Sequence, residues 1–325
     1  MTRLICLLLL ISATKVKAQD KTTLPVAMAV ADYQLPVGTQ SVYTIQYSIQ
    51  LADRVMPDST VFTDTIPSKS KECNYTFNEQ GFLVVMQVDS FDEKGKVITS
   101  TVTRYGYGKE GRLRGVVHYE DGKMTDSVYV GYNRRDEADE QVYYDKKGRK
   151  EGRVQYFYRN GRVFNVKVRD EDDMLLSFIR YEYDAASNVR EKEIKGNTLQ
   201  YESAIRYSYD TLANGYVQIN EYDYAGAYKI MGMLGKVLDT SGRVVEITVA
   251  DSNKRVVASS TFEYNDKGLP ISELTFTMYK HDYSYLYEYD DNGWWKTRRK
   301  FEEGIPISKT HRVVELYKDT ASRID

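Results

Sequence analysis

Cysteine, histidine and proline are scarce in this chain of 325 residues, which contains 2 Cys, 3 His and 6 Pro. Cys6 lies in an N-terminal apolar run that we expect to be removed, so Cys73 has no partner for an internal disulfide. We predict that Cys73 is a small buried apolar side chain and that the core holds the fold without cross-links. Neither His118 nor His281 has another His or Cys at metal-ligand spacing, so a zinc site has no support.

An excess of positive charge is also missing, because 45 basic residues face 47 acidic ones. Nucleic-acid binders normally carry a basic excess that displaces counterions from phosphates, so we predict no nucleic-acid partner. The one long apolar run, Leu4 to Ala13, follows Arg3 and precedes the small residues Val16 and Ala18. This pattern predicts a signal peptide over residues 1–18 and an exported chain that is periplasmic, cell-surface or secreted. The run is shorter than the ~20 residues that a spanning helix needs, and the mature chain has no other candidate transmembrane segment.

Motifs that carry catalysis are absent from the sequence as well. It contains no G-x-S-x-G elbow, no H-E-x-x-H pair and no phosphate-binding glycine loop, so we predict neither a nucleophilic mechanism nor a cofactor. Carboxylates are abundant, and a paired-carboxylate hydrolase stays open as an alternative. Asp170, Asp172 and Asp173 are a possible calcium ligand set, although an acidic hairpin turn is the interpretation that we favour.

Tyrosine is abundant, with 29 residues. From about Asn74 onward, apolar and polar residues alternate with period two, as in half-buried β-strands. The alternating runs are broken by Asp/Asn-x-x-Gly segments, in which the Asp or Asn side chain accepts backbone N–H groups and Gly adopts a positive φ. The sequence therefore predicts an all-β chain of successive hairpins.

The last aromatic residue before a turn recurs every 25 or 26 residues, and Leu238 takes its place once. The series runs through Tyr107, Tyr132, Tyr158, Tyr183, Tyr209, Leu238, Tyr264 and Tyr289. A fixed period of this kind is typical of repeat architectures, here with two strands and two turns per unit. We predict a long antiparallel meander of hairpin repeats in a wrapped or partly open single sheet, with a β-propeller as the alternative.

Tyr-x-Tyr-Asp-x-x-Gly-Arg units occur, with variations, at Tyr105–Arg112, Tyr143–Arg149, Phe262–Gly268 and Tyr287–Gly293. These units resemble the YD repeats of the rearrangement-hotspot (Rhs) and teneurin families. The resemblance implies long antiparallel sheets that curl into hollow shells. This chain is shorter than a full shell, and no toxin segment or autoproteolytic motif follows the repeats, so we expect a small, partly wrapped sheet.

The range over which the repeats continue predicts the domain boundaries. Residues 73–318 are the predicted repeat domain, and residues 319–325 are a C-terminal tail. Residues 19–72, with one strand around Ser41 to Leu51, are predicted to cover the first edge of the sheet, since a free edge invites pairing with other chains. Residues 222–236 lengthen one repeat and are predicted to form an inserted loop.

Aromatic residues give the one positive indication of binding. Tyr283, Tyr285, Tyr287 and Tyr289 alternate along one predicted strand, so their rings share a face; Trp294 and Trp295 follow the turn and point to opposite faces. Aromatic rings stack on sugars and peptide side chains, although cross-strand packing of the repeats also uses tyrosine.

We therefore predict an exported, non-enzymatic β-repeat protein that binds a carbohydrate or protein partner at the cell envelope. These six aromatic residues are the predicted ligand-binding set. The alternatives are a carbohydrate-active hydrolase and a structural assembly component that pairs through a free sheet edge.

Overall fold

A computed structural model describes residues 39–55, 61–198, 201–225, 229–266, 268, 270–278, 283–291, 293 and 295–316. These residues form twenty β-strands. Within the same ranges, no helix is long and apolar enough to cross a membrane. The predicted signal peptide, Trp294 and the predicted tail lie outside the described residues.

The strands are β1 (Thr39–Val55), β2 (Val61–Phe77), β3 (Leu83–Phe91), β4 (Val97–Tyr107), β5 (Leu113–Glu120), β6 (Lys123–Tyr132), β7 (Ala138–Asp145), β8 (Lys150–Arg159), β9 (Arg162–Asp170), β10 (Leu175–Tyr183), β11 (Val189–Gly196), β12 (Tyr201–Thr211), β13 (Val217–Ala225), β14 (Lys229–Leu238), β15 (Val244–Asp251), β16 (Val256–Tyr264), β17 (Pro270–Thr277), β18 (Tyr283–Tyr289), β19 (Trp295–Glu302) and β20 (Ile305–Leu316).

All twenty strands belong to one antiparallel sheet, and the predicted meander is confirmed because strands that follow each other in the chain pair with each other. The first strand closes the sheet: β1 pairs with β2 on one side and with β20 on the other. Because the first strand pairs with the last, the prediction of a partly open sheet was wrong, and so was the alternative of a propeller. A propeller would divide the strands into separate blades.

The reason for the closure lies in the N-terminal region. Residues 19–72 were expected to cover a sheet edge, but the described residues among them supply β1 and most of β2, two strands of 17 residues each. The register of β1 with β20 runs from Thr39 opposite Leu316 to Ser48 opposite Ser308. From Ser41 to Ser48, β1 is therefore paired on both sides, which leaves no edge to cover along that part of the strand.

A second correction concerns residues 222–236, which were predicted to form a loop. Residues 217–225 and 229–238 are the paired strands β13 and β14, whose register runs from Val217 opposite Leu238 to Ala225 opposite Lys229. These strands have 9 and 10 residues, so the described residues of the segment belong to the sheet. Alternation continues through the segment, which is why it stays in the sheet.

The chain divides into two compact units. The central unit contains the described residues of Val130–Val142 and Lys150–Ser259, and the terminal unit contains those of Val26–Tyr129, Tyr143–Arg149 and Ser260–Asp325. β8 to β15 belong to the central unit. The terminal unit joins the N-terminal strands β1 to β5 to the C-terminal strands β17 to β20, through the pairing of β1 with β20.

The repeated Asp-x-x-Gly-Arg turn has one chemistry, which is clearest at Asp145. Its Oδ1 accepts the N–H groups of Lys147 at 2.8 Å and Arg149 at 2.9 Å, while Gly148 adopts φ 75°. The Arg149 side chain binds Oδ2 through Nε at 2.8 Å and Nη2 at 2.6 Å. These bonds, the backbone N–H of Arg149 foremost, lower the pKa of Asp145 to about 2. Asp239 and Asp251 cap their turns in the same way.

The 25-residue spacing of tyrosine also has a direct cause. The hydroxyl at the end of one strand donates to the carbonyl oxygen at the start of the preceding strand, and we call these residues the latch tyrosines. The bonds are Tyr107 to Leu83 at 2.7 Å, Tyr158 to Ala138 at 2.7 Å, Tyr183 to Val163 at 2.7 Å, Tyr209 to Val189 at 3.0 Å, and Tyr289 to Pro270.

The sheet face that carries the latch tyrosines, called here the tyrosine face, also carries the main apolar core. In the central unit, Val166 lies between Tyr156 and Ile179 on neighbouring strands, and all three are buried. In the terminal unit, Val42, Phe77 and Leu83 form a buried cluster. Cys73 is buried and free, which confirms its predicted role as a small packed side chain.

Candidate functional site

The predicted tyrosine ladder on β18 lies on the tyrosine face of the terminal unit, between two strands that the sequence did not connect with it. Tyr285 lies opposite Glu273 of β17 and opposite Lys300 of β19. The next tyrosine, Tyr287, lies opposite Arg298. We call this group the tyrosine–cation strip; it comprises Glu273, Tyr283, Tyr285, Tyr287, Arg298 and Lys300.

The two cations of the strip lie beside aromatic rings. Lys300 Nζ is 3.7 Å from the ring centroid of Tyr283 and 5.7 Å from that of Tyr285. Arg298 Cζ is 5.5 Å from the Tyr285 centroid. Both are attracted by the negative ring faces. Within the described part of the chain neither cation makes an ion pair, and burial lowers the pKa of Lys300.

Glu273 is the most deeply buried ionisable group of the strip, with 8% of its surface exposed. The Thr275 hydroxyl approaches its Oε1 at 3.4 Å, a long hydrogen bond. Among the described residues no cation lies within 4.0 Å of the carboxylate. Burial raises the pKa of Glu273, and the more distant charge of Arg298 opposes that shift.

The tyrosine hydroxyls of the strip are neutral at physiological pH. Burial raises the pKa of Tyr285 to about 12 and also raises that of Tyr287. Each phenol therefore keeps a proton to donate and an oxygen that accepts. The Tyr285 hydroxyl makes no hydrogen bond to any residue in the described ranges. The strip thus presents a carboxylate acceptor, two cationic donors and a phenol beside apolar ring surface.

The remaining predicted aromatic residues have different roles. Tyr289 is a latch tyrosine, because its hydroxyl donates to the Pro270 carbonyl. Trp295 lies opposite Tyr289, and its ring lies under Arg312, with 4.1 Å between the guanidinium carbon and the ring centroid. The structure therefore brings Tyr283, Tyr285 and Tyr287 together as one surface.

Sequence reasoning missed the polar half of the strip. Glu273, Arg298 and Lys300 lie on strands other than β18 and join the tyrosines through register alone. One signal was present: Arg298 and Lys300 alternate with the same period of two as the tyrosines. That period placed both cations on one face, but nothing in the sequence identified which face it was.

The acidic run at residues 170–173 forms a hairpin turn. Asp170 Oδ1 accepts the N–H groups of Asp172 at 3.1 Å and Met174 at 2.8 Å. Asp173 adopts φ 65°, and its Oδ1 lies 2.5 Å from Lys150 Nζ and 3.0 Å from Arg153 Nε. No group of three or more His, Cys, Asp or Glu side chains that could hold a metal ion is present in the described ranges.

No family model and no curated protein matches the chain. Among solved structures, it is similar to a porin-like protein from Bacteroides uniformis ATCC 8492, with 10% identity, TM-score 0.37, and coverage of 86% of this chain and 97% of that one. A porin-like protein from Bacteroides vulgatus ATCC 8482 shows 12% identity and TM-score 0.29 over 67% of this chain and 93% of its own. The structure titled TcdB2-TccC3-TEV shows 10% identity and TM-score 0.27 over 86% of this chain and 20% of its own.

Proposed function

We propose that the chain is an exported, non-enzymatic β-repeat protein of the cell envelope that binds a carbohydrate on the tyrosine–cation strip. The N-terminal sequence pattern supports export, and the absence of catalytic motifs favours binding over catalysis. In this proposal, the resemblance to YD repeats concerns only the hairpin-repeat architecture. It assigns no encapsulation role to this chain.

The observation that carries the proposal is the incomplete bonding of Glu273. A buried carboxylate is costly unless it is paired or well hydrogen-bonded, and buried polar groups in native proteins nearly always have partners. Within the described residues Glu273 has one long hydrogen bond, from Thr275 at 3.4 Å, and no ion pair. A ligand hydroxyl that donates to this carboxylate would complete its hydrogen bonding.

The mixture of groups around Glu273 favours a carbohydrate. A sugar ring has apolar C–H faces that pack on phenol rings and a rim of hydroxyls that both donate and accept hydrogen bonds. Glu273 accepts such hydroxyl donors, while Arg298 and Lys300 donate to hydroxyl oxygens. A purely apolar ligand would leave these polar groups unpaired and would bind poorly for that reason.

The test is a binding measurement on the chain that begins at Gln19. A panel of immobilised neutral and acidic oligosaccharides is screened, and each ligand found is titrated by calorimetry against wild type and Tyr285→Ala. We expect Tyr285→Ala to weaken binding by roughly 10-fold or more, which corresponds to the loss of a central aromatic contact.

The matched control is Tyr144→Ala, because Tyr144 is also half-buried on a strand and its hydroxyl makes no bond in the described part of the chain. The control should leave the affinity unchanged. A panel without any ligand, or equal losses in both variants, would contradict the proposed function.

A further inference from the structure

Arg312 is a buried cation at the end of the strip nearest to Tyr289. It lies on β20 in the terminal unit, and 7% of its surface is exposed. Its Nε donates to the Trp295 carbonyl oxygen at 2.9 Å, and its guanidinium lies 4.1 Å from the Trp295 ring centroid. These two contacts fix the plane of the guanidinium and one of its five N–H donors.

The other four N–H donors of Arg312, on Nη1 and Nη2, have no acceptor among the residues that the structure describes. Within the described residues, Arg312 makes no hydrogen bond other than the one to Trp295 and no ion pair. Asp290 and Tyr289 influence it electrostatically without forming an ion pair with it. Burial lowers the pKa of Arg312 to about 10, so the side chain is charged at physiological pH.

A buried guanidinium held by stacking, with two adjacent Nη groups unused, is the geometry that accepts a carboxylate through two parallel hydrogen bonds. Lysine would not replace it, because an ammonium group is a point charge without a planar fork.

The position of Arg312 connects it to the strip. Thr310 lies opposite Arg298 in the register of β19 with β20, and Arg312 is two residues further along the same face. Two residues of strand span about 6.6 Å. A ligand that lies along Tyr285, Tyr287 and Arg298 therefore meets Arg312 after one further step along the strand.

We propose that Arg312 binds the carboxylate of an acidic sugar residue, so that the ligand of the strip is a uronate-containing oligosaccharide. This inference rests on the proposed function, since it names the class of sugar that the same surface selects. Trp295 packs on the guanidinium, and the two Nη groups supply the donors for the carboxylate. The apolar ring surface and Glu273 bind the neighbouring sugar units.

The experiment compares a hexuronate trisaccharide with the neutral trisaccharide obtained by reducing its carboxylates to alcohols. Both are titrated calorimetrically against wild type, Arg312→Gln and Arg312→Lys. We expect wild type to prefer the uronate by roughly 10-fold, as for one charge-assisted contact of about 1.4 kcal/mol. Arg312→Gln should lose the preference and keep the affinity for the neutral ligand, and Arg312→Lys should keep only part of the preference.

Equal binding of both trisaccharides to wild type would overturn the carboxylate inference and leave the proposed function standing. An unchanged preference in Arg312→Gln would also overturn it. If neither trisaccharide binds but other neutral sugars of the panel do, the uronate inference is contradicted and the proposed carbohydrate binding is not. If no oligosaccharide of the panel binds, the proposed function is contradicted as well.

A second measurement does not depend on whether the Arg312 variants fold. Tryptophan fluorescence of wild type is titrated with free glucuronate and with glucose, because Trp295 lies against the guanidinium. The proposal predicts a saturable change with glucuronate at concentrations where glucose has no effect. The same response to both sugars, or no response to either, contradicts a carboxylate site at Arg312.

Discussion

At the scale of single residues, the latch tyrosines explain why tyrosine recurs with a fixed spacing. Each hydroxyl satisfies a carbonyl oxygen at the start of a neighbouring strand, where the regular ladder ends. An unsatisfied buried carbonyl costs free energy, so phenylalanine is not equivalent at these positions. The motif Tyr-Asp-x-x-Gly-Arg thus combines two local devices, a latch before the turn and a capped turn.

We predict that Tyr158→Phe lowers the free energy of unfolding by about 1 kcal/mol, the net value of one hydrogen bond. The lost bond is that from the Tyr158 hydroxyl to the Ala138 carbonyl at 2.7 Å. Urea unfolding followed by circular dichroism measures the change. Tyr144→Phe is the control and should be neutral, because the Tyr144 hydroxyl makes no bond within the described ranges. Equal effects of the two substitutions would refute the latch.

Glu273 links binding to stability. Since burial raises its pKa in the folded state, the folded protein holds the Glu273 proton more tightly than the unfolded chain. That contribution is fully present below the unfolded pKa of about 4.3 and is lost as the pH rises through the folded pKa. At pH values above the folded-state pKa, the buried carboxylate therefore opposes folding, a cost that the proposed binding role accounts for.

We accordingly expect Glu273→Gln to raise the melting temperature at pH 7 and to have no effect at pH 4. The same substitution should weaken carbohydrate binding, because it removes the anionic acceptor from the strip. Scanning calorimetry at the two pH values and a binding titration at pH 7 measure both effects. A variant that is less stable than wild type at pH 7 would show that Glu273 is a structural ion-pair partner instead.

His118 is a residue whose burial the alternating pattern does not predict correctly. The pattern Val117-His118-Tyr119 predicts an exposed histidine, but His118 is half-buried, and its Nδ1 lies 3.1 Å from the Thr103 hydroxyl. It is on the same face as Val116, which lies opposite Tyr105. The tyrosine face therefore includes polar positions, and polarity alone does not reveal which face a residue occupies.

At the scale of elements, strands and turns were predictable because their signals are local. Asp145, Asp239 and Asp251 cap turns in the way that their spacing to Gly148, Gly242 and Arg255 indicates. The segment at 222–236 was not predictable, because a longer repeat is compatible with either a loop or longer strands. Register decided the outcome, and register depends on neighbouring strands.

The backbones of β8 and β9 approach each other closely at Gly152. A Cβ added at Gly152 in β8 would lie 2.5 Å from the Arg169 carbonyl oxygen of β9. We predict that Gly152→Ala destabilises the chain by about 1–3 kcal/mol, as overpacking does. Gly106→Ala in β4 is the matched control, because its nearest neighbour would be at 3.8 Å. Chemical unfolding of both variants gives the comparison, and an equally stable Gly152→Ala would rule out the close approach.

At the scale of the whole molecule, the sequence indicated an all-β repeat chain but not its closure. The pairing of β1 with β20 joins residues that are about 270 positions apart, such as Ser41 and Glu315, whose side chains are 2.7 Å apart. No repeat motif marks either strand, and a contact of this sequence separation leaves no local pattern. The cations of the tyrosine–cation strip were not predicted for a similar reason, since they belong to a different strand from the tyrosines.

The closure also fixes the strand that carries Arg312 in the terminal unit. Arg312 lies on β20, and β20 is held between β19 and β1 by pairing on both sides. An open sheet would leave β20 as an edge strand, with unpaired backbone groups and a less fixed Arg312. The position of Arg312 therefore depends on β1 and β20 being neighbours in one sheet.

The most direct test is a cross-link between these two strands in a Cys73→Ser background. Tyr43 and Val313 are opposite each other in the register, so the pair Tyr43→Cys and Val313→Cys falls within disulfide distance. The control pair, Tyr43→Cys and Lys309→Cys, is offset by four residues, about 13 Å along the strand. Under mild oxidation, followed by non-reducing mass mapping, the account predicts an intramolecular 43–313 disulfide and no 43–309 disulfide. Absence of the first, or equal formation of both, would contradict the closed sheet.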